Sequence, residues 1–213
     1  MFPDVHTALK LDQKSMAGTV LNIVDVDSND NLGSFLIHHV LSFANKNGNR
    51  LLMLGLEQSL GHYHAVSLKA GGNLMKMRES GQLVFVEGLK AFAETIRTDD
   101  STFGFVGGRG DSLKALFLDL KAKFEDLQAK SPSEPTILIL DNVSVLLNLG
   151  VCLKDVIAFY KYLDEMIRDK NGCLVTRTTM TESDSSDRVE DEEKLANVLG
   201  HSADCNVRVW PLA

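Results

Sequence analysis

Thr19-Val-Leu-Asn-Ile-Val-Asp-Val26 is a mostly apolar run of strand length, and the organisation of the chain can be worked out from it. A polar turn follows, Asp27-Ser-Asn-Asp-Asn-Leu-Gly33, and Ser34 to Asn45 then has the pattern of a helix. Strand, turn and helix in this order are where nucleotide-hydrolysing folds place a phosphate-binding loop. The stretch therefore predicts the scaffold of such a loop.

The turn lacks most of the residues that a working phosphate loop uses. Such a loop needs glycines for close backbone approach, a lysine for the β- and γ-phosphates, and a Ser or Thr hydroxyl for magnesium. Here Ser28 stands at the first glycine position and Gly33 at the second, while Ser34 replaces the lysine and Phe35 the hydroxyl residue. Charge-assisted hydrogen bonds contribute about 1.5–3 kcal/mol each, so the loss of the lysine alone weakens phosphate binding about tenfold or more. The helix amino terminus still attracts anions weakly. We therefore predict a degenerate nucleotide loop.

Five further apolar runs predict strands: Leu51–Leu56, Leu83–Val86, Thr136–Leu140, Cys173–Thr176 and Val207–Trp210. The last run alternates and is typical of an edge strand, whereas the others suit strands covered on both faces. Helical patterns lie between the runs, over 34–46, 58–69, 112–130 and 153–167. Residues 178–193 are predicted as a mobile acidic loop. Alternating strands and helices predict an α/β fold with a mostly parallel sheet.

Size and composition favour one globular domain inside the cell. The chain has 213 residues, of which 44% are hydrophobic, and this is enough to bury a core. Three widely spaced cysteines argue for a reducing compartment and against a disulfide or zinc framework. The start shows no secretory signal, and no run approaches the roughly 18 apolar residues of a membrane span. Residues 182–193 carry −6 of the net charge of −7, which leaves room for a local basic surface elsewhere.

Two carboxylates stand at the ends of predicted strands. Asp141 follows Ile137-Leu-Ile-Leu140, the position where nucleotide-hydrolysing folds orient magnesium through water. We favour the alternative that Asp141, Asn142 and Ser144 cap the following helix or turn. Glu57 follows the second strand, where RecA-like ATPases place the carboxylate that activates water. Because the phosphate would be poorly held, we interpret Glu57 as a surface or capping acid.

Two histidine pairs, His38-His39 and His62-Tyr-His64, are the other candidates for chemistry. Adjacent helical residues point about 100° apart, so neighbouring histidines do not readily share a metal ion. We interpret them as packed or surface side chains, and predict no metal site.

Four segments carry a family resemblance: Gly33-Ser-Phe-Leu-Ile-His-His-Val-Leu-Ser-Phe43, Gln58-Ser-Leu-Gly-His-Tyr-His64, Arg78-Glu-Ser-Gly-Gln-Leu-Val-Phe-Val-Glu-Gly-Leu-Lys90 and Leu140-Asp-Asn-Val-Ser-Val-Leu-Leu-Asn-Leu-Gly150. They resemble subunit six of the Elongator complex. The likeness runs through most of the chain and is densest from Gly33 to Lys90.

The resemblance implies a three-layer RecA-like fold of the P-loop type without working nucleotide motifs. It implies a pseudo-ATPase, not an enzyme, that assembles with Elongator subunits four and five into a hexameric ring with two copies of each. The ring binds tRNA and joins the rest of Elongator, which installs carboxymethyl-type modifications on the wobble uridine. ATP hydrolysis is attributed to the ring as a whole, so any ATP would lie at ring interfaces and no cofactor is expected on this chain alone. The expected location is cytoplasmic and nuclear.

The chain departs from the family pattern in two places. It ends at Ala213, whereas family members continue into more C-terminal strands, so we expect residues 1–213 to form one RecA-like domain that lacks those strands. The acidic loop also follows the fifth strand, where RecA-like rings place a pore loop that meets nucleic acid. Its carboxylates would repel phosphate, so partner subunits must supply most of the positive charge. Arg177 is the basic residue of this chain that is placed for RNA contact.

Three hypotheses follow from these observations. The first is a non-catalytic structural subunit. The second is an active ATPase of the RecA class with an atypical phosphate loop, which would use Asp141 and Glu57. The third is an RNA-binding module in its own right.

Overall fold

A computed structural model of the chain describes residues 5, 7, 9, 11, 16–26, 32–91, 112–181 and 187–211, except the side chains of residues 112, 187 and 188. The helices and strands that concern us are, in chain order, β1 (Thr19–Val26), α1 (Ser34–Asn47), β2 (Leu51–Gly55), α2 (Leu60–Lys69), α3 (Leu74–Glu79), β3 (Leu83–Glu87), α4 (Ser112–Ala129), β4 (Ile137–Leu140), α5 (Ser144–Asn148), α6 (Leu153–Asp169), β5 (Cys173–Met180), α7 (Asp187–Ser202) and β6 (Cys205–Val209).

The strands form one six-stranded sheet in the order β3-β2-β4-β5-β1-β6. All five strand pairings of the described residues are parallel. The sequence prediction of an α/β fold with a mostly parallel sheet is confirmed. β6 lies at one edge, as its alternating pattern predicted, and its residues alternate between half-buried and exposed.

Helices cover both faces of the sheet, which makes a three-layer architecture. One face packs against α4, α5, α6 and α7, and its buried core includes Leu52, Leu54, Leu138, Leu140 and Leu174. The other face packs against α1, α2 and α3, and its buried core includes Ile23, Leu51, Met53, Ile139 and Val175. Successive strand side chains point to opposite faces, so near-continuous apolar strands supply both cores.

Local signals explain where several helices begin and end. The Ser59 side chain accepts a hydrogen bond from the His62 N–H at the start of α2, and Asn73 accepts one from the Lys76 N–H at the start of α3. These are typical N-cap interactions. Gly48 adopts a φ of 75° just after α1, the left-handed conformation that ends many helices. None of the helices in the described ranges is both long and apolar enough to cross a membrane.

The predicted acidic loop over residues 178–193 is wrong at both of its ends. β5 continues to Met180, and α7 begins at Asp187; residues 182–186 lie outside the described residues. Carboxylates near a helix amino terminus are favoured by the helix dipole. Leu195 and Leu199 bury the inner face of α7. The acidic segment is therefore largely the first half of a packed helix.

Candidate functional site

Charged side chains, among them the predicted Asp141 and Arg177, converge at the carboxyl ends of the strands. The face of the sheet that α1, α2 and α3 cover carries Asp25, Asp141 and Arg177. Side chains two positions apart in a strand point to the same face, and each of these three residues comes two positions after a residue that is buried on that face. Those earlier residues are Ile23, Ile139 and Val175. Since β5 lies between β1 and β4, Arg177 stands between the two acidic strands.

Arg177 is the central cation of this edge. It lies within β5, and its side chain is 0% exposed. Its Nη1 donates to Asp25 Oδ2 at 2.9 Å, its Nε donates to the Asp141 carbonyl at 2.7 Å, and its Nη2 pairs with Glu57 Oε2. The interpretation of Arg177 as a pore-loop residue that contacts RNA does not agree with this position. The residue is part of a buried strand, and carboxylates of the chain itself neutralise it.

Asp141 fixes the turn that follows β2. Its Oδ1 accepts the Leu56 N–H at 2.7 Å, and its Oδ2 accepts the Glu57 and Gln58 N–H groups at 3.1 Å each. The Tyr63 hydroxyl donates to Oδ2 as well, at 3.1 Å. The expectation that Asp141 caps the following turn or helix is wrong, because its carboxylate holds the turn after the neighbouring strand β2. These donors occupy both oxygens that would otherwise order water around a magnesium ion.

Glu57 is not the surface acid that the sequence suggested. Its side chain is 19% exposed, pairs with Arg177, and accepts a hydrogen bond from Asn142 Nδ2 at 3.1 Å. Asn142 Oδ1 accepts the Ser144 N–H at 3.1 Å and so holds the turn before α5, whereas Val143, at the N-cap position of α5, makes no side-chain capping bond. Asn142 thereby joins the turn after β4 to the charged cluster.

The degenerate loop positions flank the start of α1. Gly33 is buried, and its N–H donates to Asp25 Oδ1. Ser34 is half-buried, whereas the Phe35 ring is 45% exposed and meets the His39 ring edge-on at 5.9 Å. Ser28 lies outside the described residues.

Burial sets the ionisation of the two buried aspartates. It raises the pKa of Asp25, against the lowering effects of Arg177 and the Gly33 N–H. It also raises the pKa of Asp141, against the three backbone N–H donors and the Tyr63 hydroxyl. The pKa of Tyr63 is raised too, by burial and then by the Asp141 charge, so this phenol stays a hydrogen-bond donor.

The histidines pack around Tyr63, next to the cluster. The His38 ring lies 5.4 Å from the Tyr63 ring and 5.9 Å from the His62 ring. Burial, and then the neighbouring His62 and His39, lower the pKa of His38 to about 4. The interpretation of His38 as a packed side chain is confirmed. Among the described residues, no group of three or more His, Cys, Asp or Glu side chains is arranged to hold a metal ion.

Asp25 and Tyr63 belong to this cluster but were not among the candidate residues predicted from the sequence. One signal for Asp25 was present: a carboxylate within an otherwise apolar run of strand length. A lone charge inside such a run needs a partner when it is buried. Arg177 directly follows the apolar run Cys173–Thr176 and is that partner. The strand order that brings the two together was not available from the pattern.

The family model for Elongation complex protein 6 matches residues 2–213 of this chain. The chain belongs to the Elongation complex protein 6 family. Elongator complex protein 6 of Rattus norvegicus is 32% identical over 222 residues, a match that covers 100% of this chain and 80% of the relative. The Homo sapiens protein of the same name is 33% identical over 189 residues, covering 85% of this chain and 69% of the relative.

A solved structure with the same fold is a KaiC-like protein of Pyrococcus horikoshii OT3. It superposes with a TM-score of 0.59 and covers 91% of this chain and 72% of that chain, at 11% sequence identity. At this identity the likeness concerns the fold alone, which is a RecA-type α/β fold. In this member of the Elongation complex protein 6 family, the carboxyl ends of the strands carry an internal network of charged and polar side chains, centred on Arg177.

Proposed function

We propose that this chain is a non-catalytic, structural subunit of Elongator, a pseudo-ATPase that shapes a RecA-type ring without turning over nucleotide itself. In this proposal it assembles with Elongator subunits four and five into a hexamer with two copies of each. The ring binds tRNA and supports carboxymethyl-type modification of the wobble uridine. The proposed location is cytoplasmic and nuclear.

The proposal rests on one observation: the acids that an ATPase of this fold would need are bonded to other groups of the same chain. Both oxygens of Asp141 accept hydrogen bonds from backbone N–H groups, and one of them also accepts from Tyr63. Glu57 pairs with Arg177, so it is not placed to activate a water molecule. The two acids on which an ATPase mechanism would depend are therefore committed to holding the fold.

The loop chemistry supports the same conclusion. Ser34 and Phe35 stand where a lysine and a magnesium-binding hydroxyl would be needed. The Gly33 N–H, which in a phosphate loop would face an anionic ligand, donates instead to Asp25. A triphosphate would find the Gly33 N–H already bonded to Asp25, and neither Ser34 nor Phe35 supplies a cation.

The exposed Phe35 suggests what this edge does instead. Its ring is 45% exposed beside His39, at the amino-terminal end of α1. Neighbouring subunits of RecA-type rings meet across the nucleotide edge, and aromatic residues are enriched in the buried centres of protein interfaces. We assign Phe35 to the contact with a neighbouring subunit; an obligate interface of this kind buries over roughly 2,000 Å².

Native mass measurement tests the assembly. The chain is mixed with Elongator subunits four and five, and the expected product is a hexamer with two copies of each. Phe35→Asp is expected to weaken assembly, because the interface would bury an unpaired carboxylate against the neighbouring subunit. Leu118→Asp is the matched control, since Leu118 is 53% exposed on α4, which covers the other face of the sheet. A stable monomer that binds neither subunit four nor subunit five would contradict the proposal.

A nucleotide titration separates this proposal from an active ATPase. The isolated chain is titrated with a fluorescent ATP analogue and magnesium, and no saturable binding is expected. Micromolar binding that Asp141→Ala removes would favour the ATPase. The same titration on the assembled ring shows whether nucleotide binds at interfaces that only the ring provides.

A further inference from the structure

The amino-terminal end of α1 is held by a side chain from the preceding strand. Gly33 stands at the N-cap position of this helix, and its N–H donates to Asp25 Oδ1. Helix amino termini carry unpaired N–H groups and a partial positive charge, and they attract anions for both reasons. In this chain, the anion that accepts the Gly33 N–H is the Asp25 carboxylate.

The other oxygen of Asp25 meets a buried cation. Asp25 Oδ2 lies 2.9 Å from Arg177 Nη1, and both side chains are 0% exposed. A guanidinium removed from water needs an anion and hydrogen-bond acceptors to offset its desolvation. One carboxylate thus bridges a helix amino terminus and a buried arginine, which is the arrangement that a small bound anion would adopt.

The Asp25 carboxylate lies directly against Gly33. A Cβ placed on Gly33 would lie 2.5 Å from Asp25 Oδ1 and 2.9 Å from Ile23 Cγ2. Both distances are shorter than ordinary contacts between heavy atoms, so even one added carbon atom does not fit. Because the Gly33 N–H and Arg177 Nη1 both bond to the Asp25 carboxylate, an external anion could take these two donors only in place of Asp25.

We propose that Asp25 is a built-in anion, which closes the position between Gly33 and Arg177 to external anions, and that removal of its carboxylate opens a binding site for a small carboxylate. The proposal concerns the isolated chain and does not depend on its assembly with other subunits. It makes Asp25 the residue that determines whether this edge of the fold can recognise an anion.

Formate tests the proposal, because Asp25→Ala deletes a carboxylate and formate supplies one of the same size. The thermal unfolding midpoint of the full chain carrying Asp25→Ala is measured in sodium formate and in sodium chloride of equal ionic strength, and with formamide as a neutral molecule of the same shape. At about ten times the Kd of formate, a rise in Tm of roughly 3–5 °C is expected for a chain of this size. The wild-type chain is expected to show no formate-specific rise.

Asn22→Ala is the matched control. Asn22 is a fully buried polar residue of the same strand that hydrogen bonds to Thr176 and Asn206, and its loss leaves no cation unpaired. This variant is expected to lose stability without any response to formate. An equal response in Asn22→Ala or in the wild type would overturn the proposal, as would the absence of a formate-specific response in Asp25→Ala.

Two further measurements keep the test decisive. If Asp25→Ala does not fold unaided, its refolding yield is compared in formate and in formamide, and only formate is expected to raise it; equal yields would overturn the proposal. The double variant Asp25→Ala, Arg177→Met removes the cation as well and is expected to lose the formate response. A response that persists without Arg177 would place the anion elsewhere and overturn the proposal.

Discussion

Arg177 Nη1 lies 2.9 Å from Asp25 Oδ2, and neither side chain has any exposed surface. The two residues come from adjacent parallel strands, β5 and β1, and are 152 positions apart in sequence. Burial of a charge is costly unless the charge is paired and hydrogen-bonded, and Arg177 has three acceptors around it. Arg177 and its three acceptors therefore tie β1, β5 and the ends of β2 and β4 to one another.

Arg177→Met is expected to destabilise the fold strongly. It removes the partner of two carboxylates, and breaking a buried ion pair on one side costs about 3–5 kcal/mol. Urea unfolding followed by circular dichroism measures the loss.

Arg208→Met provides the comparison for that experiment. Arg208 is exposed on β6 and donates to Asn197 Oδ1 at 3.2 Å. Its substitution is expected to change the free energy of unfolding by less than about 0.5 kcal/mol. Equal effects of the two variants would contradict the central role given to Arg177.

Asp141→Ala is expected to cost about 3–5 kcal/mol of stability. The substitution leaves the N–H groups of Leu56, Glu57 and Gln58 without their acceptor in a largely buried turn. Tyr63→Phe removes a single hydrogen bond to the same carboxylate and is expected to cost about 1 kcal/mol. Thermal and urea unfolding of both variants measure this order, and an Asp141→Ala chain as stable as the wild type would contradict the assigned role.

Gly33→Ala is expected to destabilise the chain by about 1–3 kcal/mol, through crowding. The φ of Gly33 is −66°, which any residue adopts, so backbone strain is not the reason. The added Cβ would instead displace the Asp25 carboxylate, whose Oδ1 lies 2.5 Å from its position.

Gly61→Ala is the corresponding control. Gly61 is exposed in α2, and the nearest atom to an added Cβ is Ser59 Oγ at 3.7 Å. Because alanine favours helix more than glycine, this change is expected to be neutral or to stabilise by up to about 1 kcal/mol. Denaturant unfolding of both variants is the measurement, and a Gly33→Ala chain that matches Gly61→Ala would show that the site is not crowded.

His38 makes stability depend on pH in the acid range. Its folded-state pKa is lowered from 6.5 to about 4, by burial and by the neighbouring His62 and His39. The unfolded chain therefore binds more protons than the folded one between these values, so the contribution to stability is fully present above about pH 6.5, falls as the pH decreases from about 6.5 to about 4, and changes no further below that. Because His38 is partly exposed, we expect a contribution on the order of 1–2 kcal/mol.

His38→Gln is expected to remove that part of the acid sensitivity. The free energy of unfolding is measured at several pH values between 4 and 7, and the variant should lose less stability than the wild type on acidification. His201→Gln, which changes an exposed histidine near the end of α7, should keep the wild-type slope. Identical slopes for all three chains would contradict the role of His38.

Much of the fold could be predicted from local patterns. The apolar runs predicted the strands, because a strand buried on both faces must be apolar along its length. The helix α6 was predicted because its buried residues, among them Val156, Tyr160 and Leu163, recur at helical spacing. The start of α7 was wrongly predicted as a loop, because its many charged residues show no apolar face. Leu195 and Leu199 form the buried face later in the helix.

The residues missing from the nucleotide loop can be read without coordinates, because a serine stands at the lysine position and a phenylalanine at the hydroxyl position. Which of the remaining charged residues pair with one another depends on the tertiary structure. Asp25, Glu57, Asp141 and Arg177 lie on four different strands or their ends, and no local pattern states which will meet. The strand order brings them to one buried edge, where the cost of desolvation requires each charge to find its partner within the chain.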